Sequence, residues 1–147
     1  MTDKIFIPQG ETIPLSHIGA TIEALAATIS ARRDAGDESY TYRLLTGNED
    51  GLLKKVMEEA GEVALAAKDI ERAANQESLT GNEHARSAAV DHLRYEAADV
   101  VYHLLVVLDR YGISTDEFAA ELNNRMTDGE RPTGGVRLFD EYVKRGK

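Results

Sequence analysis

A chain of 147 residues with a formal charge of −9, no cysteine and no tryptophan is long enough to bury one core and too short for two. Its acidity argues against a general phosphate-backbone binder, which gains affinity through lysine and arginine, and the missing cysteine rules out disulfides and thiolate metal sites. No apolar run is long enough to span a bilayer and residues 1–10 lack the basic-then-apolar order of a signal peptide, so the expectation is one domain over 1–147, cytoplasmic, binding neither nucleic acid nor membrane.

Alanine is plentiful, alternating β-branched runs are scarce, and Pro8, Pro14 and Pro132 leave a long stretch free of the strongest helix breaker. An all-α fold follows, of the four-helix-bundle type. The first helix begins after Ser16 and carries Ile18, Ile22, Leu25, Ala26 and Ile29, a stripe that fades at Arg32, Arg33 and Gly36. Residues 37–51 read as a polar joint containing Tyr40, Arg43 and the turn-like Thr46-Gly47-Asn48. A second helix, from about Leu52 to about Arg72, has Leu52, Leu53, Val56, Met57, Ala60, Val63, Ala64 and Ala67 as its apolar face.

Residues 74–83 offer Asn, Gln, Ser, Thr and Gly with little to bury, and read as a solvated loop. A third helix, from about Ala85 to Tyr111, stops at Gly112. Ser114 and Glu117 then form a capping box for a fourth helix through Phe118, Leu122 and Met126. Residues 128–135 are a Gly- and Pro-containing linker, and Val136, Phe139 and Val143 are spaced as in a short amphipathic helix running to Lys147. The expected core is therefore 16–126, with 127–147 as a C-terminal extension.

Two clusters of acid stand out on these helices. Lys55, Glu58, Glu59 and Glu62 fall within one strip about 100° wide on the second helix, opposite and flanking its apolar face. Taken alone, that is the pattern of a solvated charged face. The third helix differs, being apolar nearly all round, the pattern of a buried helix, yet Glu96, Asp99 and His103 occupy one strip of it about 60° wide. A salt bridge with Lys55 or Arg94 satisfies one buried carboxylate but hardly five.

If the two helices pack antiparallel, Glu58, Glu59 and Glu62 face Glu96 and Asp99, and their repulsion calls for a cation. Oxygen-only ligands favour Mg²⁺ or Mn²⁺. No histidine follows a glutamate by three residues, against a bridged iron site, and zinc lacks its Cys and His clusters.

Glu58-Glu59-Ala60-Gly61-Glu62 followed by Glu96-Ala97-Ala98-Asp99 resembles the E-E-x-x-E plus E-x-x-D signature of the all-α nucleoside triphosphate pyrophosphatases, the MazG-like superfamily. The closer resemblance, through Ser39-Tyr40-Thr41, Leu44-Leu45, Ala66-Ala67-Lys68 and the run Val100 to Val106, is to the phosphoribosyl-ATP pyrophosphohydrolase family of histidine biosynthesis. The resemblance implies Mg²⁺-dependent hydrolysis of phosphoribosyl-ATP to phosphoribosyl-AMP and pyrophosphate. It implies metal ligation by Glu59, Glu62, Glu96 and Asp99, and a bundle completed as a homodimer or dimer-based oligomer.

Under that resemblance Glu58 is the candidate to orient or deprotonate the attacking water. Lys55, Lys68, Arg43, Tyr40 and His103 are candidates for substrate contact; His103 reads equally well as a satisfied core histidine. Two departures stand out: the segment between Lys68 and Leu93 is longer than the family usually carries, and 127–147 has no counterpart. Two other functions fit the same residues: a house-cleaning pyrophosphatase for dNTPs or modified NTPs, and a non-enzymatic helical interaction protein.

Overall fold

The structure, a computed structural model, describes residues 15–81 and 83–143, and of Glu83 the backbone alone. Pro8, Pro14, the N-terminal residues 1–10 and the last four residues of the expected C-terminal helix lie outside this range. The described residues form five α-helices and no strand: α1 His17–Ala31, α2 Tyr40–Thr46, α3 Glu49–Thr80, α4 Glu83–Arg110 and α5 Thr115–Asn123. Among the described residues no helix is long and apolar enough to cross a membrane.

The helix ends follow the local chemistry of the chain. The Ser16 hydroxyl accepts from the Gly19 N–H at 3.1 Å to begin α1. Ser114 and Glu117 close a reciprocal capping box on α5. Gly112, at φ +71°, takes up the left-handed turn that ends α4.

Three expectations give way. The joint at 37–51 contains a two-turn helix, α2, capped by Ser39 and burying Leu44 and Leu45; it is too short for a periodic stripe to reveal it. Residues 74–80 are not loop but the end of α3, which closes at Gly81 with φ +70°. Ala, Glu and Gln are good helix formers, and Ala73 is buried, so packing carries the helix on. The segment between Lys68 and Leu93 therefore consists of the end of α3 and the start of α4. In the tail, the expected helix shrinks to a single 3-10 turn, Asp140–Tyr142, with Val136 and Phe139 exposed. A helix that short has no independent stability and finds no core to bury against.

The dominant packing is α3 along α4, with α1 and α2 laid across the C-terminal part of α4. On α3 the buried positions 52, 59, 66 and 73 recur every seven residues with half-buried 56, 63, 70 and 77 between them, the alternation of four and three of a coiled-coil seam, and half-buried 55, 58, 69 and 74 flank it. The seam is turned about 60° from the apolar face expected from composition, towards the acidic strip. Its consequence is twofold: Glu59 enters the interface, and Leu53, Met57, Ala60 and Ala64 remain exposed.

The apolar core sits at one end of this hairpin, where Ile29, Leu44, Leu45, Leu52, Leu105 and Val106 pack together. Arg110, in the last turn of α4, ties α2 to it. Its guanidinium donates to the carbonyls of Leu44 and Gly47, each at 2.7 Å, two acceptors that the end of a helix leaves without partners. Arg110→Ala is expected to lower unfolding free energy by about 2–4 kcal/mol, on the scale of charge-assisted hydrogen bonds lost to carbonyls, as read by urea denaturation.

Candidate active site

Two turns along α3 from Leu52, the seam stops being apolar. Glu59 and Glu96 are 5% and 6% exposed, and His103 is 5% exposed. Glu59, Glu96 and the half-buried Asp99 each bring a carboxylate oxygen to within 4.8 Å of the others. Glu59 comes from α3; Glu96 and Asp99, one turn apart, come from α4. The antiparallel packing thus joins two acidic motifs that are distant in sequence.

The other glutamates stand at the rim. Glu62 is exposed and shares a hydrogen bond with Glu59, which, with partial burial and the charges of Glu96 and Glu59, raises its pKa above the usual carboxylate range. Glu58 behaves oppositely. Hydrogen bonds from Lys54 at 3.0 Å and Lys55 at 3.1 Å hold its carboxyl below that range, so it stays ionised and is a weak proton acceptor. Lys55 also reaches Glu59 Oε1 at 3.4 Å, which sets its ammonium directly on the cluster. Arg94, the other competing partner, pairs with Asp91 at 2.5 Å.

His103 is fixed on both sides. Its Nδ1 lies 2.9 Å from the Asp99 carbonyl, which only accepts, so Nδ1 carries the hydrogen. Nε2 then takes a hydrogen bond from the Tyr40 hydroxyl at 3.1 Å. Burial, opposed by Lys55 and reinforced by Tyr102, Glu59 and Asp99, pushes the Tyr40 phenol pKa up and keeps it a donor. Tyr102 bonds Thr41 at 2.7 Å and presents its ring edge to His103. Through these two contacts α2 is docked over the cluster.

The remaining substrate-contact candidates stand further out. Arg43 is exposed, donates to the Asp37 carbonyl at 2.6 Å and lies 5.9 Å over the Tyr40 ring. Lys68 is exposed and pairs with Glu71 at 3.2 Å, almost two turns beyond Glu62, and is not brought to the cluster. Sequence reasoning passed over His92, whose Nε2 is 2.8 Å from Glu96 Oε1; the signal was its i, i+4 spacing from Glu96.

A family model for phosphoribosyl-ATP pyrophosphohydrolase matches residues 22–126. The chain belongs to the phosphoribosyl-ATP pyrophosphohydrolase family. Proteins named phosphoribosyl-ATP pyrophosphatase are similar to it in sequence. One from Paracidovorax citrulli is 36% identical over 76% of this chain and 74% of its own length. One from Erythrobacter litoralis is 37% identical over 86% and 97%, and one from Dechloromonas aromatica 32% over 85% and 93%. No solved structure matches the chain. Membership in this family of hydrolases sets aside the non-enzymatic reading, and every carboxylate described above falls inside the matched span.

Glu62 stands in the field of Glu59 and Glu96, and its pKa is raised. A carboxyl whose pKa is raised by folding contributes stability below its unfolded pKa, and loses that contribution as pH rises through the folded value. Stability of the metal-free protein is therefore expected to decline as pH rises through and above the ordinary glutamate range. Glu62→Gln should flatten that decline, as followed by thermal melts in chelator across pH.

Proposed function

We propose that this chain hydrolyses phosphoribosyl-ATP to phosphoribosyl-AMP and pyrophosphate, a step of L-histidine biosynthesis, with Mg²⁺ held by Glu59, Glu62, Glu96 and Asp99. The observation that carries the reading is the meeting of three carboxylates within 4.8 Å, two of them buried, in a chain of this family. The donor set fits a hard divalent ion, since it is oxygen-only and the nearby His103 has both nitrogens engaged within the protein. Mn²⁺ fits the same ligands. When bound, such an ion offsets the charge of the triphosphate and polarises the bond to be broken.

The chain's own groups do the rest. Glu58, kept ionised by Lys54 and Lys55, orients the attacking water by accepting a hydrogen bond from it. Its lowered pKa makes orientation a better role for it than proton removal. Lys55 turns from Glu59 to a phosphate oxygen. Tyr40 and Arg43, held on α2 beside the cluster, contact the phosphate or ribose, with His103 fixing the Tyr40 hydroxyl. Lys68 serves only if the substrate extends along α3.

The same reading includes a homodimer. Leu53, Met57, Ala60 and Ala64 form an exposed apolar stripe on α3, with Met57 78% exposed, and Tyr95 and Val101 are exposed on α4. A stripe of that kind beside the acidic site is the expected seat of a second copy. Met57→Arg should convert the dimer to monomer in sedimentation velocity.

Pyrophosphate release measured on phosphoribosyl-ATP, dCTP and dUTP, with and without Mg²⁺, tests the activity. Preference for phosphoribosyl-ATP and dependence on the ion are expected; preference for a free nucleotide would make this a house-cleaning enzyme. Asp99→Asn should lower turnover on the order of 10²–10³-fold, as for loss of an electrostatic transition-state contact. It should also remove the rise in melting temperature that Mg²⁺ gives the unsubstituted chain.

A further inference from the structure

We infer that His92 is the positioning residue of Glu96, an inference that rests on reading the carboxylate cluster as a metal site. Glu96 is buried, and its neighbours in the cluster, Glu59 and Asp99, are carboxylates that repel it. A buried carboxylate needs donors on its oxygens. Lys55 reaches Glu58 and Glu59, and Arg94 reaches Asp91. Among the described residues the basic group set against Glu96 is His92, whose Nε2 lies 2.8 Å from Oε1. The contact is an ion pair when the ring is protonated, and the Nε2–H is then set against an oxygen that only accepts.

The His92 side chain is 54% exposed, so the ring packs little and its contact with Glu96 is no by-product of core burial. The spacing, one helical turn before Glu96 on α4, holds the two side chains together without help from another element. With Oε1 taken up by His92, Glu96 is fixed in one rotamer and favours coordination through its other oxygen. Groups that hold a ligating carboxylate in this way govern metal affinity, and their loss typically weakens binding about 10–100-fold.

Mn²⁺ alone, titrated into the full-length metal-free chain and followed by calorimetry and electron paramagnetic resonance, tests this without turnover. Three variants are compared with the unsubstituted chain: His92→Ala, His92→Gln and Asp99→Asn. Gln places its amide nitrogen the same number of bonds from Cβ as Nε2 and can donate to Glu96. Circular dichroism without metal establishes that each variant keeps its helices.

The expected result is a loss of Mn²⁺ affinity of about 10–100-fold in His92→Ala, recovered in His92→Gln. Unchanged affinity in His92→Ala, beside weakened binding in Asp99→Asn, overturns the inference and leaves the metal site standing. A nitrogen coupling to Mn²⁺ that disappears in His92→Ala also overturns it, because His92 would then be a ligand. Binding that is insensitive to Asp99→Asn removes the metal-site reading and this inference with it.

Discussion

Glu59 and Glu96 occupy seam positions between two long helices where a coiled coil places apolar side chains, and with Asp99 they bring three like charges within 4.8 Å. Taking a charge out of water is costly unless it is paired, hydrogen-bonded or bound to metal. Lys55 donates to Glu59 and His92 Nε2 lies against Glu96, both from the cluster's own helices, and Glu62 stands beside them with its pKa raised. These contacts leave the cluster short of positive charge, a deficit that the proposed divalent cation would make up. The rest of the fold has to keep α3 and α4 together while that repulsion acts.

It does so from both sides of the cluster. Towards the termini of the hairpin, Leu52, Leu105 and Val106 join Ile29 of α1 and Leu44 and Leu45 of α2 in the apolar core. Towards the tip, Ala66 and Ala73 are buried in the seam, and their small side chains let the two helices approach closely. The segment between Lys68 and Leu93 carries the two helices on beyond the acids and so extends this second brace. Apart from His92 against Glu96 it stays clear of the clustered acids, and it resists the splaying that their repulsion would cause.

Much of the site was legible in the sequence because charge spacing on a helix is a local property. The two acidic motifs, the Ser114 capping box and the stop at Gly112 all follow from residues within a few positions of one another. What failed needed knowledge of partners. Leu53 and Met57 counted as core by composition, but a helix face is set by what packs on it, and α4 packs on the side that holds Glu59. Residues 74–80 look like loop until Ala73 is seen buried against α4. The helix α2 is too short to show a period, and its position depends on Arg110, more than sixty residues away. The docking of Tyr40 on His103 is hidden for the same reason.

The helix that is apolar nearly all round poses a further constraint. One face of α4 meets α3 and another meets α1 and α2 near its C-terminal end, which leaves Tyr95 and Val101 in water beside the exposed stripe of α3. The net charge of −9 keeps copies apart at long range, so any contact there must be apolar and close. The acidic cluster lies in the seam between these two helices, and a second copy covering their outer faces would stiffen the walls that hold it. Bound ion and bound partner would then oppose the same repulsion: one by neutralising it, the other by keeping the helices from yielding to it.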